Sequence, residues 1–183
     1  MEEITRIATW FRGERFPWEA TAPSIFVGGK RTLEEFFHLV ALDRTGGLLS
    51  LASPYVDDRI SDALFQSSSI HFSAVDMRIV VRGTKDEWLA REGLGEYPWR
   101  SFRAYRYRWS HSKIYTYTGL EGGSAAYIGS HNLTVSRRSL DAGVLFNGFS
   151  SKQAATVAIA LEQHITEIIR EADCEPAHSR IAS

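Results

Sequence analysis

The sequence predicts an α/β fold with a mixed, largely parallel central sheet flanked by helices. Three observations carry this. Leu48-Leu-Ser-Leu-Ala-Ser-Pro-Tyr-Val56 is an apolar run of the kind seen in a covered parallel strand. Met77-Arg-Ile-Val-Val81 concentrates β-branched residues. Helical patterns lie between and after such runs, so strands and helices alternate up to a hairpin, which is the signature of a layered α/β domain. With 183 residues the chain is long enough for one domain, 1–183, with its own core.

Taken in order, residues 1–31 read as an N-terminal extension. Arg6–Phe11 and Ser24–Val27 are its candidate strands, and Trp10, Phe11, Phe16 and Trp18 are expected to pack in a core or a dimer contact. Thr32-Leu-Glu-Glu35 has the form of a capping box, and Leu33, Phe36, Phe37, Leu39, Val40 and Leu42 give the following helix a buried face. His38 lies in that helix as a surface or satisfied histidine. Gly46-Gly47 ends it. Ser50, Ser53 and Tyr55 in the next strand stand either at the rim of a site at its carboxyl end or in loop caps. Asp57 or Asp58 starts a helix through Ile60, Leu64 and Phe65, and Thr84–Arg91 is a second short helix.

Phe102–Arg108 is the next strand. Arg103, Tyr105, Tyr107 and Trp109 share the parity of His111 if no bulge intervenes, and packing is the default role for such aromatics. Gly119–Ser124 is a hairpin turn, with Ala125–Ile128 returning. Leu133–Arg138 is a turn or short helix, and Ala142–Phe146 a strand. Ser150-Ser-Lys-Gln153 caps a long final helix whose Ala154, Val157, Ala158, Leu161, Ile165, Ile168 and Ile169 form an apolar stripe, for the core or for a subunit interface. Residues 175–183 form a frayed tail.

The chemistry concentrates at His111-Ser-Lys113 and, sixteen residues after the lysine, Gly129-Ser-His-Asn132. In extended chain His111 and Lys113 share a face, and so do Ser130 and Asn132. A hairpin between the motifs brings the two pairs together. The set then comprises a nucleophile, a cation, a hydroxyl and an amide, the parts needed to hold a phosphodiester and attack its phosphorus. His131, between Ser130 and Asn132, turns to the opposite face and is read as structural.

Composition adds a footprint. Net charge is −1, yet Arg100, Arg103, Arg106, Arg108, Lys113, Arg137 and Arg138 meet only Glu121 between residues 100 and 138. Such a basic block fits a polyanionic substrate; the alternative is a solvated face. Cys174 is the single cysteine, so neither a disulfide framework nor a cysteine metal cluster is expected. No histidine stands at a metal-ligand spacing, and no metal or other cofactor is expected. The start Met-Glu-Glu-Ile-Thr-Arg lacks the form of a secretory signal, and no apolar run approaches membrane-spanning length. A cytoplasmic, membrane-free setting is the expectation.

His111-x-Lys113 followed by Gly129-Ser130-x-Asn132 resembles the phospholipase D superfamily, in detail over residues 110 to about 145. Family members usually carry Asp five residues after the lysine, where this chain has Thr118. They commonly carry a carboxylate about eleven residues past the Asn, and the candidate here is Asp141, nine residues on. The resemblance implies a phospholipase D-like fold. It also implies a metal-independent phosphodiesterase in which His111 attacks phosphorus, forming a phosphohistidine. Lys113 and Asn132, with Ser130 supporting, would hold the non-bridging oxygens, with Asp141 as the accompanying carboxylate and Arg106, Arg108, Arg137 and Arg138 binding the substrate backbone. Only one His-x-Lys is present, so a second imidazole is expected from an identical chain across a two-fold axis. The leading expectation is a homodimeric nuclease acting on nucleic acid, DNA ahead of RNA. The alternatives are a nucleic-acid-binding module of the same fold without turnover, and a lipid phosphodiesterase.

Overall fold

The computed structural model describes residues 25–28, 30–56, 73–82, 99–108, 110–133 and 142–174. Their elements are β1 (Ile25–Gly28), α1 (Lys30–Leu42), β2 (Gly47–Ser53), β3 (Val75–Val81), β4 (Ser101–Arg106), β5 (Ile114–Gly119), β6 (Ser124–Gly129), β7 (Gly143–Asn147) and α2 (Lys152–Cys174). The expected helices over 57–65 and 84–91, the strand Arg6–Phe11, the segment beyond Leu133 and the tail lie outside the described residues.

The strands form one mixed sheet in the order β1-β7-β6-β5-β2-β3-β4. Parallel pairing, expected to dominate, holds for β2-β3-β4, where Leu49 faces Met77 and Ile79 faces Ala104. The other four ladders are antiparallel. The difference has a local cause. Strands β5 and β6 are joined by a tight turn over 120–123, which can join only antiparallel neighbours.

Among the described residues each sheet face carries one helix. On the first, Phe36 and Phe37 of α1 meet edge to face at 5.3 Å. Tyr115 and Tyr127, opposite each other in the β5–β6 ladder, stack at 5.2 Å beneath them. On the second face Ile165, Ile168 and Ile169 of α2 cover Ala52, Val80 and Ile114. The α2 stripe is therefore core rather than subunit interface. Burying an isoleucine or phenylalanine side chain fully is worth roughly 1.5–3 kcal/mol, so these two layers hold the sheet flat against its helices. Alternation in β5 is strict: Tyr115 and Tyr117 face α1, while Ile114 and Thr116 face α2.

The helix starts differ from the expected caps. Helix α1 begins at Lys30, so Thr32 lies inside its first turn, and Leu42 at its end is exposed. The cap of α2 is Ser151, one residue after the expected Ser150. Its Oγ accepts from Ala154 N at 3.4 Å and lies 3.1 Å from Gln153 Oε1. Ser150 instead bonds back to the Asn147 carbonyl at 3.1 Å, closing the turn that leaves β7. The strand before the first motif ends at Arg106, and Ser110 N bonds Tyr107 O at 3.1 Å in a turn. Parity from Arg103 and Tyr105 therefore does not run through to His111.

Two glycines lie in the left-handed region, Gly46 (φ 85°) and Gly122 (φ 90°). A Cβ on Gly122 meets nothing, whereas one on Gly46 would lie 2.3 Å from the Ala74 carbonyl oxygen. Gly122→Ala is expected to cost about 1 kcal/mol, the left-handed penalty alone. Gly46→Ala should cost distinctly more, because backbone must also move. Equal denaturation midpoints for the two variants would contradict this.

Tyr117 supplies a pH-dependent element. Its ring is fully buried and its hydroxyl donates to Gly46 O at 3.1 Å. Burial, and then the Asp43 carboxylate, push the phenol well above the ordinary tyrosine range. A group whose folded pKa is raised contributes its stability fully below the unfolded value, about 10 here, and loses it as pH rises further. Melting temperature should therefore fall on the alkaline side of pH 10. Tyr117→Phe should flatten that limb while costing about 1 kcal/mol at neutral pH through the lost hydrogen bond. Identical alkaline slopes would assign the loss elsewhere.

Candidate active site

Three parallel strands end at the same margin of the sheet. Ser53 closes β2, Arg82 follows β3, and Arg106 closes β4. Because β5 runs antiparallel to β2, with Ile114 opposite Ala52, the segment 111–113 also arrives at this margin. The carboxyl ends of adjacent parallel strands form the usual crevice for ligands in α/β sheets.

His111 is exposed there and Lys113 is half-buried. Neither belongs to β5, which starts at Ile114. Lys113 Nζ donates to the His111 carbonyl oxygen at 3.1 Å, which couples the two residues locally. Across the hairpin, Gly129 N donates to Lys113 O at 3.1 Å, and Ile114 pairs with Ile128. That bond joins the first motif to the second.

The second motif alternates as expected, with Ser130 exposed, His131 buried and Asn132 half-buried. His131 points inward, and its carbonyl accepts the Tyr115 hydroxyl at 2.7 Å. Ser130 does a different job from the one expected. Its Oγ accepts from Ala142 N at 3.0 Å and lies 3.3 Å from Ala142 O, so it fastens the motif to the start of β7. Asn132 Oδ1 is buried and accepts no hydrogen bond among the described residues. Leu133 N donates to Ser53 Oγ at 3.1 Å, and Leu133 bridges Val56, which clips the motif's end to β2. Ser53 thus serves as a positioning hydroxyl at the rim. Gly129 makes room for protein rather than ligand: a Cβ there would lie 2.5 Å from the Tyr127 hydroxyl and 2.6 Å from Ala142 O.

Arg106 and Arg108 are exposed near the same margin. Arg100 is not part of the site, because it pairs with Asp76 at the opposite end of β3 and β4. That partner, with Ser101, holds the Asp76 carboxyl below its usual range. Thr118 likewise stands at the far end of β5, about 17 Å along the strand from Lys113 at 3.3 Å per residue. The residue there therefore has no bearing on the geometry around His111. Arg137, Arg138, Asp141 and Trp109 lie outside the described residues. Among the described residues no cluster of His, Cys, Asp or Glu fits a metal ion.

One residue at the margin was not singled out from the sequence. Arg82 Nη1 lies 3.0 Å from His111 Nε2 and 3.5 Å from Nδ1. The available signal was its place directly after the Met77–Val81 strand. A second concavity, about 760 Å³, lies at the opposite end of the hairpin between Leu42, Asp43, Glu121 and Phe149, with His38 on its wall. It is remote from His111.

No family model and no curated protein sequence matches the chain. Solved structures do. TrmBL2, an archaeal chromatin protein with a novel mode of DNA binding, matches over 84% of this chain and 55% of its own, with TM-score 0.49 and 10% identity. The chain thus spans about half the length of that protein. Nuc from Salmonella typhimurium, a phospholipase D family member, matches over 82% of this chain and 96% of its own, with TM-score 0.48 and 19% identity. NucT from Helicobacter pylori matches over 81% and 95%, with TM-score 0.47 and 11% identity. No helix among the described residues is long and apolar enough to cross a membrane.

Proposed function

We propose that the chain is a metal-independent phosphodiesterase of the phospholipase D type that cleaves nucleic acid, DNA ahead of RNA. The observation that carries this is the bond from Gly129 N to Lys113 O, which sets His-x-Lys and Gly-Ser-x-Asn side by side at the carboxyl margin of the sheet. His111 attacks phosphorus in line. The N–P bond forms as the P–O bond to the leaving nucleoside breaks, and that oxygen takes a proton from a second imidazole. Water, deprotonated by the same second imidazole, then cleaves the N–P bond and frees the phosphomonoester. Lys113 and Asn132 hold the non-bridging oxygens while their charge grows. Ser130 acts by fixing the loop. Arg106 and Arg108 offer charge to the neighbouring phosphates, and Arg137, Arg138 and Asp141 complete the proposed set.

The second imidazole is proposed to come from His111 of an identical chain. The one other histidine in the motifs, His131, is buried and faces the wrong way. Incubation of purified protein with plasmid and single-stranded DNA in excess EDTA tests the reading. Cleavage should persist, and acid-labile phosphate should be trapped on His111 after rapid quenching. Specific activity should rise with protein concentration through the range where sedimentation shows dimers forming. Loss of all cleavage on chelation would overturn the proposal.

A further inference from the structure

We infer that Arg82 is a further catalytic residue of this site, a guanidinium clamp for the non-bridging oxygens of the scissile phosphodiester. The inference rests on the phosphodiesterase reading above and adds a residue that neither motif contains.

The argument starts from what an arginine can do. Its guanidinium carries donors only and stays charged across the working range. Arg82 Nη1 lies 3.0 Å from His111 Nε2 and 3.5 Å from Nδ1, so the guanidinium lies against the imidazole ring rather than along either nitrogen's lone pair. An exposed lone pair on an imidazole nitrogen is the group that attacks phosphorus. The guanidinium therefore stands beside the attacking ring, within reach of the oxygens of a phosphoryl group placed in line with its nitrogen.

A phosphodiester approaching His111 meets that guanidinium alongside the ring. Its anionic oxygens are stronger and better matched acceptors than a neutral imidazole, because the planar fork of arginine fits two oxygens of one phosphate. The guanidinium then turns its donors to the non-bridging oxygens and screens the charge that the attacking lone pair must approach. No bond is made or broken in this exchange. In the attack that follows, the same fork faces oxygens whose charge is increasing.

The placement of Arg82 supports this. It directly follows β3, whose Val81 carbonyl accepts Tyr107 N at 3.0 Å, so the backbone that carries it is tied to the chain leaving β4.

The test compares wild type, Arg82→Ala, Arg82→Lys and His111→Ala. Two readouts are used: cleavage of a short oligonucleotide, and binding of inorganic phosphate followed through the His111 resonances of protein labelled with nitrogen-15 histidine. Arg82→Ala should lose about 10²–10³-fold in kcat, the scale of one positioned donor to a developing oxyanion. It should bind phosphate at least tenfold more weakly, and the Nε2 resonance should no longer move on phosphate addition. Arg82→Lys keeps the charge without the fork and should recover part of both; it also serves should the alanine variant fold poorly. Unchanged kcat together with unchanged phosphate affinity in both variants would overturn the inference. A wild type that cleaves nothing, or a His111→Ala that cleaves normally, removes the phosphodiesterase reading instead. The phosphate titration still decides whether Arg82 holds an anion against His111.

Discussion

His111→Ala is expected to abolish phosphodiester cleavage, with a loss of at least about 10³-fold in kcat. Removing an attacking group takes away the covalent route altogether, which costs more than removing one supporting donor. The side chain is exposed and lies against Arg82, outside the core clusters of the described residues, so no core packing depends on it. Thermal stability should stay within about 0.5 kcal/mol of wild type, as for other surface substitutions. Binding of nucleic acid should persist, because the cations at the margin remain. Retained binding with lost cleavage is therefore the expected pair of results in a gel-shift and a nicking assay. If binding disappears along with cleavage, His111 has a different role.

Glu162→Leu carries the largest expected effect on stability. Arg78 of β3 rises from the sheet into the layer beneath α2. There its guanidinium pairs with Glu162, and it also donates to Ser50 Oγ at 2.7 Å and Thr166 Oγ1 at 2.8 Å. The other Glu162 oxygen accepts the Thr116 hydroxyl. Both charged side chains are largely covered, at 18% and 13% exposure, and burial pulls the Arg78 guanidinium down from its usual value. Taking away the carboxylate leaves that cation facing two hydroxyls under a helix. The expected cost is about 3 kcal/mol, the lower end for breaking a buried pair, since some water still reaches it. The double variant Arg78→Met with Glu162→Leu should recover most of the loss, because apolar replacement of both partners removes the uncompensated charge. Urea titrations of the four proteins form a cycle that reads the coupling directly. Additive losses would show that the pair does not act as a unit.

The sequence revealed some features of this molecule and hid others, for reasons that are physical. The β-branched run Met77–Val81 and the glycine-rich turn at 119–123 state their structure locally, and each appears where expected within a residue or two. The spacing of the two motifs was also readable, because a hairpin of known length must bring its ends together. Strand direction was not readable in the same way. An apolar run such as Leu48–Ser53 looks alike whether its neighbours are parallel or antiparallel, so the antiparallel half of the sheet could be seen only in three dimensions. The side-chain tasks were hidden for a similar reason. Ser130 looked like a ligand contact and instead fastens a loop, because Ala142 lies twelve residues away in sequence and next to it in space. Arg82 lies 29 residues from His111, and no local pattern ties an arginine after one strand to a histidine before another. The helix caps erred by one or two residues, since Ser150 and Ser151 offer equivalent hydroxyls and only the path of the chain chooses between them.

Both motifs hang from the two arms of a single β-ribbon, and that has a consequence for how such a site can change over time. Side chains on a ribbon alternate with a period of two. One residue inserted or deleted within Ser124–Gly129 would turn Ser130 and Asn132 inward and drive His131 outward, with every letter of the motif still present. A change confined to the bend at 120–123 can be absorbed there, so drift in length should be tolerated at the bend and not in the arm that leads to the motif.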